Sequence, residues 1–199
     1  YFLDEIDKDS TEYKNQKIYR VIHWAIAFTF LFLLLTILLR LTWLNKYNVA
    51  EIIEKYIEDK EVVLSQEELI KLAKKIREPM WIWHNYAGYV LVGLFSLRFA
   101  LPFFGEMKFQ NPLSRKLSKT EKFKKWTYFI FYFCVIVSLV TGLIIVWGPK
   151  TIKKSMEEIH ELGTYYLIGF IIIHISGVLF AEFNKDKGIV SRIVSGSKK

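Results

Sequence analysis

"VIHWAIAFTFLFLLLTILL", residues 21–39, is a run of nineteen residues without a charged side chain. Only His23 and two threonines interrupt its apolar character. An α-helix rises about 1.5 Å per residue, so about 20 residues cross the hydrocarbon core of a bilayer, which is about 30 Å thick. The stretch therefore predicts a membrane-spanning helix that carries an imidazole near one end.

Three further stretches, residues 81–104, 126–147 and 162–180, are also long and apolar enough to span a bilayer. Tryptophans prefer the headgroup level of a membrane, and all six lie at the ends of the four blocks: Trp24, Trp43, Trp81, Trp83, Trp126 and Trp147. The pattern predicts an all-α integral membrane protein, folded as a bundle of four transmembrane helices in one domain over residues 1–199.

The composition supports the membrane class. Of the 199 residues, 52% are hydrophobic, and they are concentrated in four blocks rather than spread in short periodic stripes. A formal net charge of +8 would suggest nucleic acid in a soluble protein, but here it indicates orientation and contact with anionic lipid headgroups. We therefore expect no nucleic-acid partner. The single cysteine, Cys134, excludes both an intrachain disulfide and a C-x-x-C-H haem attachment site.

A polar insert, residues 45–80, separates the first two spans. Its pattern predicts two short amphipathic helices, one with a cap-like pairing of Asn48 and Glu51 and one with a capping box of Ser65 and Glu68. The second is expected to stop at Pro79. A surface cover over the end of the bundle is the favoured role of the insert, and a dedicated docking site is the alternative.

The distribution of lysine and arginine predicts the orientation. Sixteen basic residues lie on the side of the two termini, against ten on the side of the insert. The positive-inside rule then places residues 1–19 and the tail 184–199 in the cytoplasm and residues 45–80 on the opposite side of the membrane, which for a bacterial inner-membrane protein is the periplasm. The first residues are acidic and polar and do not resemble a signal peptide.

The four histidines of the chain lie at matched depths in the predicted spans. His160 and His174 are fourteen residues apart, which on one helix gives a common face and an axial separation of about 21 Å. His84 lies at the start of the second span, level with His160, and His23 lies broadly level with His174. This arrangement predicts two facing pairs, one in each leaflet.

Two opposed imidazoles in an apolar bundle fit a haem iron, which takes one axial ligand on each face of the porphyrin. A structural zinc site wants four ligands, and a proton relay prefers an acid, which the predicted spans lack. Without cysteine attachment the haems are expected to be b-type, two in number and suited to electron transfer. The alternatives are a histidine-lined metal or proton transporter and a bare membrane anchor whose histidines tie helices together.

Glycines and arginines complete the predicted site. Gly88, one turn after His84, leaves room for a flat macrocycle, as do Gly163 and Gly177, although plain helix contacts use glycine equally often. Arg98, fourteen residues after His84, is the expected partner of an inner-haem propionate, and the alternative is a side chain that extends to the phosphates of the inner leaflet.

Two arginines flank the first span. Arg20, one turn before His23, is a second propionate candidate, together with Lys17. Arg40, off the His23 face, is interpreted as an interface anchor.

Three motifs resemble a known family. "RVIHW" resembles the R-x-x-H-W of bacterial di-haem cytochromes b, and "HNYAGYVLVGLFSLR" is similar to their second helix with its late arginine. "HELGTYYLIGFIIIHISGVLFAE", followed by "GIVSRIVSGSKK", is similar to the last helix and tail of the cytochrome b-561 and nickel-iron hydrogenase b-type cytochrome subunit superfamily.

The resemblance implies a membrane cytochrome that passes electrons between the quinone pool and a partner redox protein. By matching position, His23 and His174 would ligate the inner haem iron, and His84 and His160 the outer one. The tail and the unmatched insert favour a subunit of a respiratory complex over a stand-alone quinone oxidoreductase acting on a small reductant such as superoxide. Quinone-site candidates are Trp83, Tyr86 and Tyr89 on the outer side and the Arg98 region on the inner side, although these aromatic residues equally fit the aromatic belt at the membrane interface, which is the favoured role.

Overall fold

The computed structural model describes residues 2–60, 62–104, 118–184 and 188–194, and within these ranges the regular structure is helical. A short 3-10 helix, Leu101–Phe104, follows the fourth α-helix. The α-helices are α1 (Phe2–Leu41), α2 (Lys46–Ile57), α3 (Gln66–Ile76), α4 (Glu78–Ala100), α5 (Lys119–Trp147), α6 (Lys150–Glu161), α7 (Gly163–Asn184) and α8 (Ile189–Val194).

Three helical segments of the described chain are long and apolar enough to cross a membrane: Lys17–Leu41, Glu121–Trp147 and Lys150–Asn184. Their apolar side chains point largely outward, as lipid-facing residues do, with Phe28 and Phe133 each 62% exposed. Helix α4 has 23 residues and a length on the order of 35 Å, but His84 and Asn85 in its first half and Arg98 in its last turn make it less apolar. Its role as a fourth span stays a prediction.

The first helix is longer than its apolar run. It begins at Phe2 and continues without interruption to Leu41, so the polar segment before the span belongs to the same helix. The physical reason is that residues 2–41 contain neither glycine nor proline, the two residues that most weaken a helix. Whether this extension is cytoplasmic stays a prediction.

The insert folds as a helical hairpin of α2 and α3. Val49 and Ala50 of α2 and Leu69 and Ala73 of α3 form a buried apolar cluster, with Leu69 only 1% exposed. The two helices thus bury their inner stripes against each other. The outer stripe, Ile52 and Tyr56 on α2 with Leu72 and Ile76 on α3, remains exposed.

Of the three predicted helix boundaries in the insert, the start of α3 is confirmed, and the start of α2 and the end of α3 are wrong. The capping box of Ser65 and Glu68 is present. The N-cap of α2 is Asn45 rather than Asn48. The side chain of Asn48 instead donates to the carbonyl of Thr42 over 3.1 Å. Helix α3 ends at Ile76, and Pro79 lies in the first turn of α4, where the missing N–H breaks no helical hydrogen bond.

The predicted last helix is interrupted. It consists of α6 and α7, which meet at Leu162 and run back along α5, so His160 and His174 do not share one continuous helix. Gly163, the first residue of α7, approaches α5 closely, since a Cβ there would lie 2.8 Å from Oγ of Ser138. Further contacts along the same antiparallel course pair Thr141 with His160, Phe131 with Phe170 and Tyr128 with His174.

A short helix follows α7. Gly188 adopts a positive φ of 88°, a conformation that glycine tolerates best, and starts α8. The carboxylate of Glu182 accepts hydrogen bonds from the backbone N–H groups of Gly188 and Val190, both at 3.0 Å. Nε1 of Trp24 on α1 donates to the carbonyl of Ile193 over 3.1 Å, which ties the tail to the start of the first span.

The chain divides into two compact units. The first is built from residues of Tyr1–Ala25 and Leu94–Lys199, and the second from Ile26–Gly93. Helices α1 and α4 therefore contribute to both. His23, His160 and His174 belong to the first unit, and His84 belongs to the second.

Candidate functional site: the membrane histidines

His23 of α1 and His174 of α7 face each other within the first unit. Their ring centroids are 6.1 Å apart and their planes are inclined by 47°. The structure thus brings together two of the four predicted ligands, from the first and the last long helices of the chain. Their separation along the sequence is 151 residues (174 − 23), so this proximity is a product of the tertiary fold.

Aromatic rings surround this pair. Phe170 lies parallel to the His174 ring at 5.5 Å and to the Phe131 ring at 3.7 Å, both at 16°, so three rings form a stack. Trp24 meets His23 edge-on at 5.7 Å. The hydroxyl of Tyr128 lies 3.4 Å from Nδ1 of His174. The histidines therefore occupy an apolar, ring-lined environment.

Arg98 lies at the end of an aromatic group in the same unit. Its guanidinium carbon is 5.8 Å from the centre of the Tyr132 ring, and its Nη1 atom is buried. Tyr132 also contacts Phe95 and Phe99, and it lies one helical turn after Tyr128 on α5. A cation over an aromatic face is stabilised by the ring quadrupole, which helps to hold this arginine inside the helical bundle.

His84 is held by α1 within the second unit. Its Nδ1 atom lies 2.7 Å from the hydroxyl of Thr36, which is itself 97% buried (3% exposed). Trp81 meets the His84 ring edge-on at 5.5 Å, and the guanidinium of Arg40 lies 5.6 Å from the Trp81 ring. The predicted interface anchor Arg40 is thus a near neighbour of the His84 site.

A second arginine lies close to this group. Burial, and then the neighbouring charge of Arg40, lower the pKa of the Arg77 guanidinium. Two like charges held near each other attract an anionic group, because such a group relieves their mutual repulsion. Arg77 was not among the residues predicted from the sequence.

His160 is held by α5 within the first unit. Its Nδ1 atom lies 3.0 Å from the carbonyl oxygen of Ser138 and 3.2 Å from the hydroxyl of Thr141. A Cβ at Gly142 would lie 3.1 Å from Cε1 of the ring, so this glycine permits the close approach. Thr141 and Tyr128, the α5 partners of His160 and His174, are thirteen residues apart, or about 20 Å along the helix (141 − 128 = 13).

Comparison with known proteins identifies the family. The family model for prokaryotic cytochrome b561 matches residues 15–196. The chain belongs to the prokaryotic cytochrome b561 family. Neither the curated proteins nor the solved structures gave a match.

Membership confirms the resemblance seen in the sequence and carries the general function. The cytochrome is a helical membrane protein that binds b-type haem and transfers electrons across the membrane. Within the described residues no group of three or more His, Cys, Asp or Glu side chains is placed to hold a bare metal ion. A porphyrin iron needs only two protein ligands.

The residues present fit a b-type haem. Bonds between a metal and an imidazole nitrogen are about 2 Å long, so two opposed ligand nitrogens are separated by about 4 Å. The 6.1 Å between the His23 and His174 ring centres accommodates that arrangement. The rings of Phe170, Phe131 and Trp24 supply the apolar surroundings that the macrocycle prefers.

The predicted glycines behave differently from one another. A Cβ added at Gly88 or at Gly177 would meet nothing within 4 Å, which agrees with room beside the helix. Gly163 instead serves the close approach of α7 to α5, so its role in accommodating a macrocycle is not supported. Arg20 lies three residues before His23 on the same helix and is half-buried.

Proposed function

We propose that this cytochrome holds two b-type haems, one between His23 and His174 and one between His84 and His160. The observation that carries the proposal is the 6.1 Å approach of the His23 and His174 rings from two distant helices. It is supported at the other histidines by polar groups on Nδ1, an arrangement that orients metal-ligating imidazoles in other proteins. Haem iron, once bound, supplies one-electron chemistry.

The protein's own side chains would ligate the iron, surround the haem and set its depth in the membrane. Each proposed histidine pair would hold the iron from both sides, which would leave no position for oxygen and would suit electron transfer. The Phe170 ring covers one face of His174 and is itself stacked on Phe131, which would present an apolar surface to the haem on that side. The axial distance of about 20 Å between the α5 partners of His160 and His174 supports two centres at different depths, as a transmembrane electron path requires.

Arginines are proposed to bind the propionates. Arg98 and Arg20 are assigned to the haem of His23 and His174, and the buried Nη1 of Arg98 supports the first of these assignments. Arg40 is assigned to the haem of His84 because its guanidinium lies over Trp81, one turn before that histidine, and Arg77 is assigned with it because the charge of Arg40 acts on its guanidinium. Replacing Arg98 with Leu should lower the potential of the first haem, since a positive charge stabilises the reduced, less positive iron.

The physiological role proposed is that of a respiratory-complex subunit in the bacterial inner membrane, with both termini in the cytoplasm, passing electrons between quinone and a partner redox protein. The exposed ring pair of Trp83 and Tyr86, with centroids 6.2 Å apart beside His84, supports a quinone headgroup contact at that end. The exposed outer stripe of the α2–α3 hairpin supports contact with a partner or with lipid headgroups.

The absorption spectrum of single variants tests the haem assignment. His23→Ala and His174→Ala should each lose the same haem and keep the other, seen as half of the α-band that dithionite produces in the parent protein. His84→Ala and His160→Ala should both lose the second haem. Asn85→Ala, next to His84 on an exposed position of α4, is the matched control and should keep both. Loss of different haems from His23→Ala and His174→Ala would contradict the proposal.

A further inference from the structure

Two threonines stand out among the described side chains because they are buried and polar. Thr36 on α1 is 3% exposed and Thr141 on α5 is 5% exposed. A hydroxyl buried in an apolar environment is costly unless it makes hydrogen bonds. Each of these two contacts Nδ1 of a proposed haem ligand, Thr36 that of His84 and Thr141 that of His160.

The hydrogen bonds of Thr36 define the tautomer of His84. The hydroxyl donates its only proton to the carbonyl of Leu33, one turn earlier on α1, over 2.6 Å. It can then act only as an acceptor toward the imidazole, so the 2.7 Å contact with Nδ1 is a bond that the histidine donates. His84 therefore carries its proton on Nδ1 and its lone pair on Nε2.

The same conclusion holds independently for His160. A carbonyl oxygen only accepts, so the 3.0 Å contact between Nδ1 and the Ser138 oxygen requires a proton on Nδ1. Thr141 donates its own proton to the carbonyl of Val137 over 2.8 Å and accepts from the same Nδ1 over 3.2 Å. His160 thus also has its lone pair on Nε2.

We propose that Thr36 and Thr141 are positioning residues that hold His84 and His160 in the tautomer that binds iron through Nε2. The role rests on the proposed ligation of one haem by these two histidines. A hydrogen bond from Nδ1–H fixes the ring orientation of a metal ligand and raises its basicity. A more basic imidazole stabilises the oxidised iron and so lowers the potential of its haem.

The other proposed pair is supported differently. The Tyr128 hydroxyl approaches Nδ1 of His174 over a longer distance, 3.4 Å, and the His174 ring is stacked on Phe170. The two threonines therefore act on one proposed haem only. Their effect on its potential distinguishes that haem from the one between His23 and His174.

The test compares Thr36→Val and Thr141→Val, which remove a hydroxyl from a side chain of the same shape, with Thr36→Ser and Thr141→Ser, which keep it. Redox titration of the full chain, followed at the α-band, gives the two haem potentials. Each valine variant should raise one potential, with a smaller rise for Thr141→Val because the Ser138 carbonyl still accepts from His160. Affinity for that haem should fall by about 10- to 100-fold in Thr36→Val.

The serine variants should restore both the potential and the affinity. Thr42→Val is the matched control and should leave both potentials unchanged, because Thr42 is exposed and its hydroxyl donates to the Leu38 carbonyl one turn earlier. Unchanged potentials in both valine variants, or valine shifts that serine does not reverse, would overturn the positioning role.

The outcome also separates this role from the haem assignment. Should Thr36→Val and Thr141→Val raise the potentials of two different haems, the positioning role would stand while the pairing of His84 with His160 would fail. A parent protein without an α-band would remove the haem assignment and the positioning role together.

Discussion

Gly142 on α5 lies against the imidazole of His160, so closely that a Cβ at position 142 would stand 3.1 Å from Cε1 of the ring. The position of His160 thus depends on the absence of one side chain on the neighbouring helix. Together with the hydrogen bonds that Nδ1–H of His160 donates to the Ser138 carbonyl and the Thr141 hydroxyl, this contact makes α5 the element that sets the orientation of His160.

Gly142→Ala should therefore displace the His160 ring by a few tenths of an ångström and perturb the haem that it is proposed to ligate. Alanine normally stabilises a helix by about 0.5–1 kcal/mol relative to glycine. A loss of haem from this variant would therefore come from the contact between the new Cβ and His160 and not from a weaker helix. Haem content and the ferric low-spin spectrum provide the measurement.

Gly169→Ala on α7 is the control for this variant, because a Cβ there would meet nothing within 4 Å. It should keep the haem and be as stable as the parent or more so. Equal spectra for Gly142→Ala and Gly169→Ala would show that the approach to His160 is not tight.

The α2–α3 hairpin should depend on Leu69 for its packing. Leu69 is 1% exposed within the cluster of Val49, Ala50 and Ala73, so Leu69→Ala should destabilise the hairpin by about 2–5 kcal/mol. Leu72→Ala, at a position 42% exposed, should have little effect. Hydrogen exchange over residues 46–76 would detect the difference, and equal protection in the two variants would contradict the described core.

The cap of α3 should make the hairpin sensitive to acid. Hydrogen bonds from the backbone N–H and the hydroxyl of Ser65 lower the pKa of the Glu68 carboxyl below its usual value near 4.5. The folded state therefore binds this proton less readily than the unfolded state does. The stabilisation is fully present above the unfolded pKa and is lost as the pH falls through the folded one.

Hydrogen exchange in the first turn of α3 should consequently accelerate on acidification from neutral pH to about pH 3, relative to intrinsic exchange rates. Glu68→Gln keeps a side-chain acceptor at the cap but has no carboxyl to titrate. The part of the acceleration that comes from protonation of Glu68 should therefore be absent in this variant. An identical acid response in Glu68→Gln would assign the effect to other groups.

Arg77 should strengthen the binding and raise the potential of the haem that His84 is proposed to bind. If its guanidinium contacts a propionate, Arg77→Gln removes a charge-assisted hydrogen bond worth about 1.5–3 kcal/mol, or about 10- to 100-fold in haem affinity. The potential of the same haem should fall because a positive charge near the iron is lost. Lys74→Gln, on the exposed surface of α3, is the control, and equal effects of the two would argue for a general charge effect.

Features encoded by neighbouring residues could be predicted from the sequence. The apolar runs predicted the three confirmed candidate spans, and Ser65 with Glu68 predicted the start of α3. Family membership followed from the motifs around the four histidines. Each of these signals lies within a few residues of the structure that it specifies, so no tertiary contact is needed to recognise it.

Features created by contacts between distant segments could not be predicted from the sequence. The close approach of Gly163 to Ser138 joins two different helices, and the run that contains Gly163 has the composition of a continuous helix. Thr36 and Thr141 look like ordinary interruptions of apolar helices until their histidine partners are known. Arg77 gains its significance from Arg40, which lies 37 residues earlier (77 − 40).

The number of haems per chain tests the central claim most directly. The pyridine haemochrome of the purified full-length protein, divided by its concentration from amino-acid analysis, gives that number without any assumption about potentials. Ligation by His23 with His174 and by His84 with His160 predicts two haems per chain in the parent and one in His23→Ala. One haem per chain in the parent, or none, would contradict it.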